Sequence, residues 1–142
     1  ISTAITASEM GILVMATLHT NGSAATVDRI VNAFPADKQN HVRTMLSTSL
    51  RGVVSQQLIS RKGTPGRAAA LEVLINTPAA ANLIRQGKID QLETVMQAGA
   101  NAGMRTMDSA IEQLLDQGLI SGRSAYEKAN NKTKFEPLKD MD

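Results

Sequence analysis

The sequence contains no cysteine and no tryptophan, and its only aromatic residues are Phe34, Tyr126 and Phe135. Without cysteine there is no disulfide framework and no thiolate-ligated zinc or iron–sulfur centre, an absence that fits a reducing compartment. With so few aromatics there is no platform on which bases could stack, which argues against single-stranded nucleic-acid binding. An excess of charge is missing too. Fifteen Lys+Arg stand against thirteen Asp+Glu, a formal net charge of +2, which is not the field of a nucleic-acid-binding surface. The longest apolar run, Ile12 to Ala16, is far too short to span a bilayer. No charged leader followed by an apolar stretch is visible. Phosphate loops of the GxxxxGK[ST] and GxGxxG types, the GxSxG elbow and the HExxH helix are all absent. His19 and His41 are far apart in sequence, without the clustered partners a metal site needs, so no metal ligand is assigned. Read from its residues alone, the chain holds no complete catalytic constellation.

What remains is an ordinary globular composition, 42% apolar and 20% charged over 142 residues, enough for one compact domain. The chain opens on Ile1-Ser2-Thr3-Ala4-Ile5, which reads as the interior of a helix, and we expect it to be a piece of a longer polypeptide. Gly11 is placed to end that first helix. Residues 12–18 follow as an apolar run and are expected to form a strand buried on both faces, with the rest of its sheet upstream. Ser23 is positioned to cap a helix with Val27, Ile30, Val31 and Phe34 on one face. Pro35 suits the first turn of the next, whose stripe is Val42, Met45, Leu46, Leu50, Val53 and Val54. Two apolar stretches flank Gly63-Thr64-Pro65-Gly66, so a hairpin is expected from 57–61 and 67–75. Thr77-Pro78 starts a short helix that Gly87 stops. Further helices are expected from Ile89 to about Gly99, from Thr106 to Gly118 and from Ser121 to about Ala129. The polar stretch from Asn130 reads as a tail.

His19 is the residue to single out. It lies just beyond the carboxyl end of the expected strand, among Thr17, Thr20 and Asn21, and open α/β sheets bind ligands at that end of their strands. A His and a Thr there can donate hydrogen bonds to phosphate oxygens or orient a water. The motif alone is also compatible with an ordinary loop histidine, which is the plainer reading. The arginines, Arg43, Arg51, Arg61, Arg67, Arg85 and Arg105, are scattered and read as solvated.

The segment Ala4 to Asn21 resembles the histidine-box region of the type II/type IV secretion ATPase superfamily. The likeness continues through Asp28-Arg29-Ile30-Val31, Phe34-Pro35, Ser55-Gln56, Leu58-Ile59 and Thr77-Pro78. It runs on through Asn82-Leu83-Ile84-Arg85, Gly103 to Asp108 and Gly118-Leu119-Ile120-Ser121. Within the superfamily the chain most resembles the pilus retraction ATPases. Where export and assembly ATPases carry a four-cysteine zinc insertion, this chain has Lys62-Gly63-Thr64-Pro65-Gly66. Where retraction ATPases carry the helix Ala-Ile-Arg-Asn-Leu-Ile-Arg-Glu, it reads Ala79-Ala80-Ala81-Asn82-Leu83-Ile84-Arg85-Gln86. Ala80, Ala81 and Gln86 depart from that signature, and Ile12 stands where the family usually has the first histidine of its box.

The resemblance implies a helix-rich α/β fold, the later half of a RecA-like P-loop ATPase domain with a β-hairpin and a C-terminal helical bundle. Residues 1–76 would be the second half of the ATPase core, 77–130 a helical region bearing the retraction-signature helix, and 131–142 a tail. It implies a homo-hexamer using ATP and Mg²⁺, with Walker A and Walker B upstream, so that this stretch alone would be inactive. Thr17 and His19 would contact nucleotide, with His19 catalytic, sensing or polarising the γ-phosphate. The location implied is the bacterial cytoplasm, at the inner membrane and against the pilus platform protein, without nucleic acid and with only peripheral membrane association. A non-catalytic helical interaction module of a membrane-associated machine, or a retraction ATPase paralogue, are the alternative readings.

Overall fold

A two-stranded antiparallel hairpin, β1 (Gly52–Ser60) and β2 (Arg67–Ile75), carries the helices that precede and follow it. The computed structural model describes residues 1–142. Before the hairpin come α1 (Ser2–Glu9), α2 (Ser23–Asn32) and α3 (Gln39–Ser49); after it come α4 (Pro78–Gln86), α5 (Leu92–Ala98), α6 (Met107–Asp116), α7 (Gly122–Lys128) and α8 (Lys132–Phe135). The register runs from Gly52 opposite Ile75 to Ser60 opposite Arg67. Gly63 and Gly66 both take positive φ (70° and 107°) in the connecting turn, as the Gly-Thr-Pro-Gly signal requires.

Alternation along the strands sets the inner face: Val53, Ser55, Gln57 and Ile59 on β1, Ala68, Ala70, Glu72 and Leu74 on β2. Two cores form on it. Leu74 joins Val27 and Val31 of α2, Val42 and Leu46 of α3, Ala80 and Ile84 of α4, and Leu92 and Met96 of α5. Ile59 and Ala70 join Met107, Ala110 and Ile111 of α6, Ala125 of α7 and Phe135 of α8. The first core thus draws on residues from both sides of position 76. Each amphipathic helix contributes one stripe, and the burial of those stripes holds these short helices together.

Several expected elements are present with their expected signals. Gly11 (φ 88°) follows α1. The Thr77 side chain accepts from the Ala80 N–H with Pro78 in the first turn, and Gly87 leaves α4 in the left-handed region (φ 73°). Thr106 and Ser121 cap α6 and α7 by the same device.

Residues 12–18, expected as a buried strand, are not one. They run irregularly between helices, and the backbone of residues 13–18 makes no hydrogen bond within the chain. Leu13 is 79% exposed and Met15 88%. A strand needs a ladder partner for its N–H and C=O groups, and the only sheet here is the β1–β2 pair. The helical stripe stops at Leu50 and does not reach Val53 and Val54, which lie in β1. The amide of Asn76, at the far end of the hairpin, donates to the carbonyls of Ser47 (2.9 Å) and Leu50 (2.7 Å), terminating α3 from outside. Accordingly β1 begins at Gly52 and not at residue 57. Pro35 precedes a 3₁₀ turn (Ala36–Lys38) that leads into α3. Ser23 does not cap α2: it is the first helical residue, and its buried hydroxyl has no partner. The stretch from Asn130, expected as a tail, folds back as α8, with Phe135 buried in the second core.

Candidate functional site

Thr17 and His19 are both exposed, and neither side chain makes a hydrogen bond within the chain. They stand where the irregular apolar stretch ends and the chain turns towards α2. The turn itself is fastened. The hydroxyls of Thr20 and Thr26 are 2.7 Å apart, and that of Thr26 also donates to the Gly22 carbonyl at 2.8 Å. The Gly22 N–H donates to Ser55 Oγ at 2.8 Å, and the Ser23 N–H to Glu72 Oε1 at 2.7 Å. Gly22 holds φ 99° and ψ 157°, a backbone that only glycine takes without strain. An exposed polar pair without internal hydrogen bonds is therefore presented from a firmly held base.

An imidazole and a hydroxyl free of internal partners suit the outer oxygens of a phosphate. They do not make a cradle, for which successive backbone N–H groups of a glycine-rich loop are needed, and the sequence has no such loop. Alone, the pair offers donors to an anion without enclosing one.

The signature helix α4 is a separate surface. Ala80 and Ile84 are buried, Ala81 and Leu83 are half-buried against α3 and its neighbours, and Ala79, Asn82, Arg85 and Gln86 face out. Asn82 Oδ1 accepts from Arg85 Nη2 at 2.7 Å and from Gln86 Nε2 at 3.2 Å, so the exposed face is an ordered polar strip. None of the hydrogen bonds made by residues 17–23 reaches it; they go to α2 and the hairpin.

A group of carboxylates went unread in the sequence. Glu72, 4% exposed, accepts from Ser23 at the start of α2 and, through Oε2, from the Met107 N–H at the start of α6 (3.1 Å). Asp108 accepts from the Asn130 and Asn131 N–H groups at 2.7 and 2.9 Å, which anchors the segment leading to α8. Glu93 on α5 has its pKa raised, first by burial and then by the charges of Asp108 and Glu72. The available signal was an acid at an inward position of an otherwise apolar strand.

Residues 1–63 match the model of the family described as "Type II/IV secretion system protein". The chain is 50% identical over 92% of its length to a "Twitching motility protein" of Neisseria gonorrhoeae, and 49% identical over 89% to the "Type IV pilus retractation ATPase PilT" of Pseudomonas aeruginosa. It covers 35% and 36% of those proteins, about a third of the length of each. Among solved structures it superposes on the pilus retraction motor PilT with bound ADP at a TM-score of 0.83 and 39% identity, covering 96% of this chain and 38% of that one. The helix-rich fold around a two-stranded sheet is thus that of the C-terminal part of such a motor. By sequence and by fold the chain is related to the type II/IV secretion proteins, and it is similar over nearly its whole length to the corresponding third of pilus retraction ATPases.

Proposed function

We propose that the chain is the later part of a motor ATPase that powers retraction of type IV pili. The observation that carries this is the extent of the likeness: about half of the residues are identical over some nine tenths of the chain to a twitching motility protein and a pilus retraction ATPase. The unpartnered Thr17 and His19 support it, because the extended segment delivers them to an open edge with their donors free. Nucleotide and Mg²⁺ would bind mainly through residues outside this stretch, which by itself would be inactive for want of a phosphate loop. Bound ATP supplies the phosphoryl bond whose hydrolysis drives the motor. In this chain Thr17 would hold an outer phosphate oxygen, and His19 would stabilise charge that develops on the phosphoryl group. The α4 strip from Ala79 to Gln86 would pass the nucleotide state to the pilus platform. In this reading the working form is a homo-hexamer in the bacterial cytoplasm against the inner membrane, without nucleic acid. No helix of the chain is long and apolar enough to cross a membrane.

The test pairs two substitutions in the full-length protein. His19→Ala is expected to lower ATP turnover about 10²–10³-fold with an unchanged circular dichroism spectrum, as when one group acting on transition-state charge is removed. Asn82→Ala, which removes the acceptor shared by Arg85 and Gln86, is expected to keep turnover within about twofold while twitching motility is lost. Normal turnover in His19→Ala would return His19 to an ordinary loop residue. Normal twitching in Asn82→Ala would remove the coupling role of α4.

A further inference from the structure

Glu72 is the only acidic side chain on the packed face of the hairpin, at the seam between the two cores, with Ala70 in one and Leu74 in the other. No cation pairs with it: the ion pairs of the chain are Arg123–Asp142, Lys134–Glu112 and Lys139–Glu136. Its charge is met by two helix N-termini, one per oxygen, at 2.7 Å (Ser23 N–H, α2) and 3.1 Å (Met107 N–H, α6). Each terminus carries about half a positive charge, so the two together balance roughly one carboxylate. The two helices depend on it unequally. α6 has its own cap in Thr106, whereas α2 has none, since Gly22 lacks a side chain and the Ser23 hydroxyl bonds to nothing. The start of α2 is held instead by the cross-strand pair Ser55 and Glu72, through the N–H groups of Gly22 and Ser23. Gly22 is three residues beyond His19.

We propose that Glu72, assisted by Ser55, is a positioning residue: it fixes the base of the Thr17–Asn21 segment, sets the aim of His19, and ties that aim to α6. The inference rests on the phosphate-facing reading of His19 given above. A carboxylate is needed because both N–H groups demand an acceptor. Glutamine offers one oxygen and turns an amide donor towards the other N–H, so one helix start is left unsatisfied.

The test uses the full-length protein with Glu72→Gln, Ser55→Ala, His19→Ala and the double variant His19→Ala/Glu72→Gln. Glu72→Gln is expected to lower kcat about tenfold with KM for ATP within about twofold, the pattern of a misaimed group with binding retained. Amide exchange over residues 17–23 should accelerate about fivefold or more, while residues 78–86 exchange as in the parent. The double variant should turn over no more slowly than His19→Ala alone, because one effect acts through the other. Unchanged exchange over 17–23, or multiplicative losses in the double variant, would overturn the positioning role. Normal turnover in His19→Ala would instead break the phosphate reading, and the exchange result would still decide whether Glu72 restrains the segment. Should Glu72→Gln fail to fold, Ser55→Ala carries the test with smaller changes in the same directions, and parental kcat and exchange in that variant would refute the proposal.

Discussion

Two apolar stretches of this chain look alike on paper and fold differently. Ile12 to Ala16 and the strand β2 are both largely apolar and bounded by glycine or polar residues. β2 finds β1 across a tight turn, pairs along its whole length and feeds two cores. Residues 12–18 find no strand partner, leave the backbone groups of residues 13–18 unbonded and leave Leu13 and Met15 largely exposed. The difference is one of partnership and not of propensity: a hairpin carries its partner in its own sequence, whereas a strand inside a larger sheet depends on distant chain. The same division runs through the polar side chains. The half-open segment carries the free polar groups Thr17 and His19, and the fully packed hairpin supplies the anchors Ser55 and Glu72 that hold its base.

The largest effect that would sharpen the contrast is on stability. Ile84→Ala empties a fully buried site in the first core and is expected to cost about 2–5 kcal/mol in chemical denaturation of this 142-residue chain. Leu13→Ala in the same chain should stay within about 0.5 kcal/mol, since its side chain touches little. In the full-length protein the two should converge, because residues 12–18 would there gain the sheet neighbours they lack. A Leu13→Ala cost that remains negligible in the full-length protein would mean that the segment is open by design and the comparison is false.

A middle-sized effect separates local capping from packing. Thr77→Ala removes the side-chain acceptor for the Ala80 N–H, and about 1 kcal/mol of stability should go with it. Ser23→Ala should cost less or nothing, because the Ser23 hydroxyl has no partner and the first turn of α2 is held from the hairpin. Equal losses in the two variants, measured by urea denaturation, would show that Ser23 is a cap in solution after all.

These helix starts also mark what was legible in the sequence. Caps whose acceptor sits three residues before its donor, such as Thr77, Thr106 and Ser121, were readable because the whole interaction lies in one short window. The hairpin turn was readable for the same reason. The cap of α2 was not, since its acceptors come from positions 55 and 72. Nor was the end of α3, which Asn76 closes from across the hairpin. Val53 and Val54 continue the helical spacing by chance, and tertiary interactions decide against it: the two bonds from Asn76 and the pairing of Val53 and Val54 with Leu74 and Val73. The docking of α8 depends on Phe135 and on Asp108, again a distant acid beneath backbone N–H groups. His19 stands out in the sequence because a polar cluster after an apolar run is a local signal. Glu72 was missed because its role exists only once three elements have met.

The smallest expected effect concerns the third carboxylate of the seam. Glu93 on α5 is half-buried and faces the charges of Asp108 and Glu72, with no cation paired to it, so burial first and those charges second raise its pKa in the folded chain from its ordinary value. The folded state therefore holds this proton more tightly than the unfolded state. Its contribution to stability falls as pH rises through its folded pKa, and the penalty is fully present above that pKa. Removing the charge should help: Glu93→Gln is expected to raise the urea midpoint at about pH 7, modestly because solvent screens a half-exposed group. The advantage over the parent chain should shrink as pH is lowered through the raised pKa of Glu93, where its carboxylate itself becomes protonated. Asp108 and Glu72 are hydrogen-bonded to backbone N–H groups and differ from Glu93 in that respect, so charge removal at either should destabilise. A Glu93→Gln chain that is less stable than the parent at neutral pH would show that Glu93 makes a favourable contact in solution, and the three acids would then be equivalent anchors of one seam.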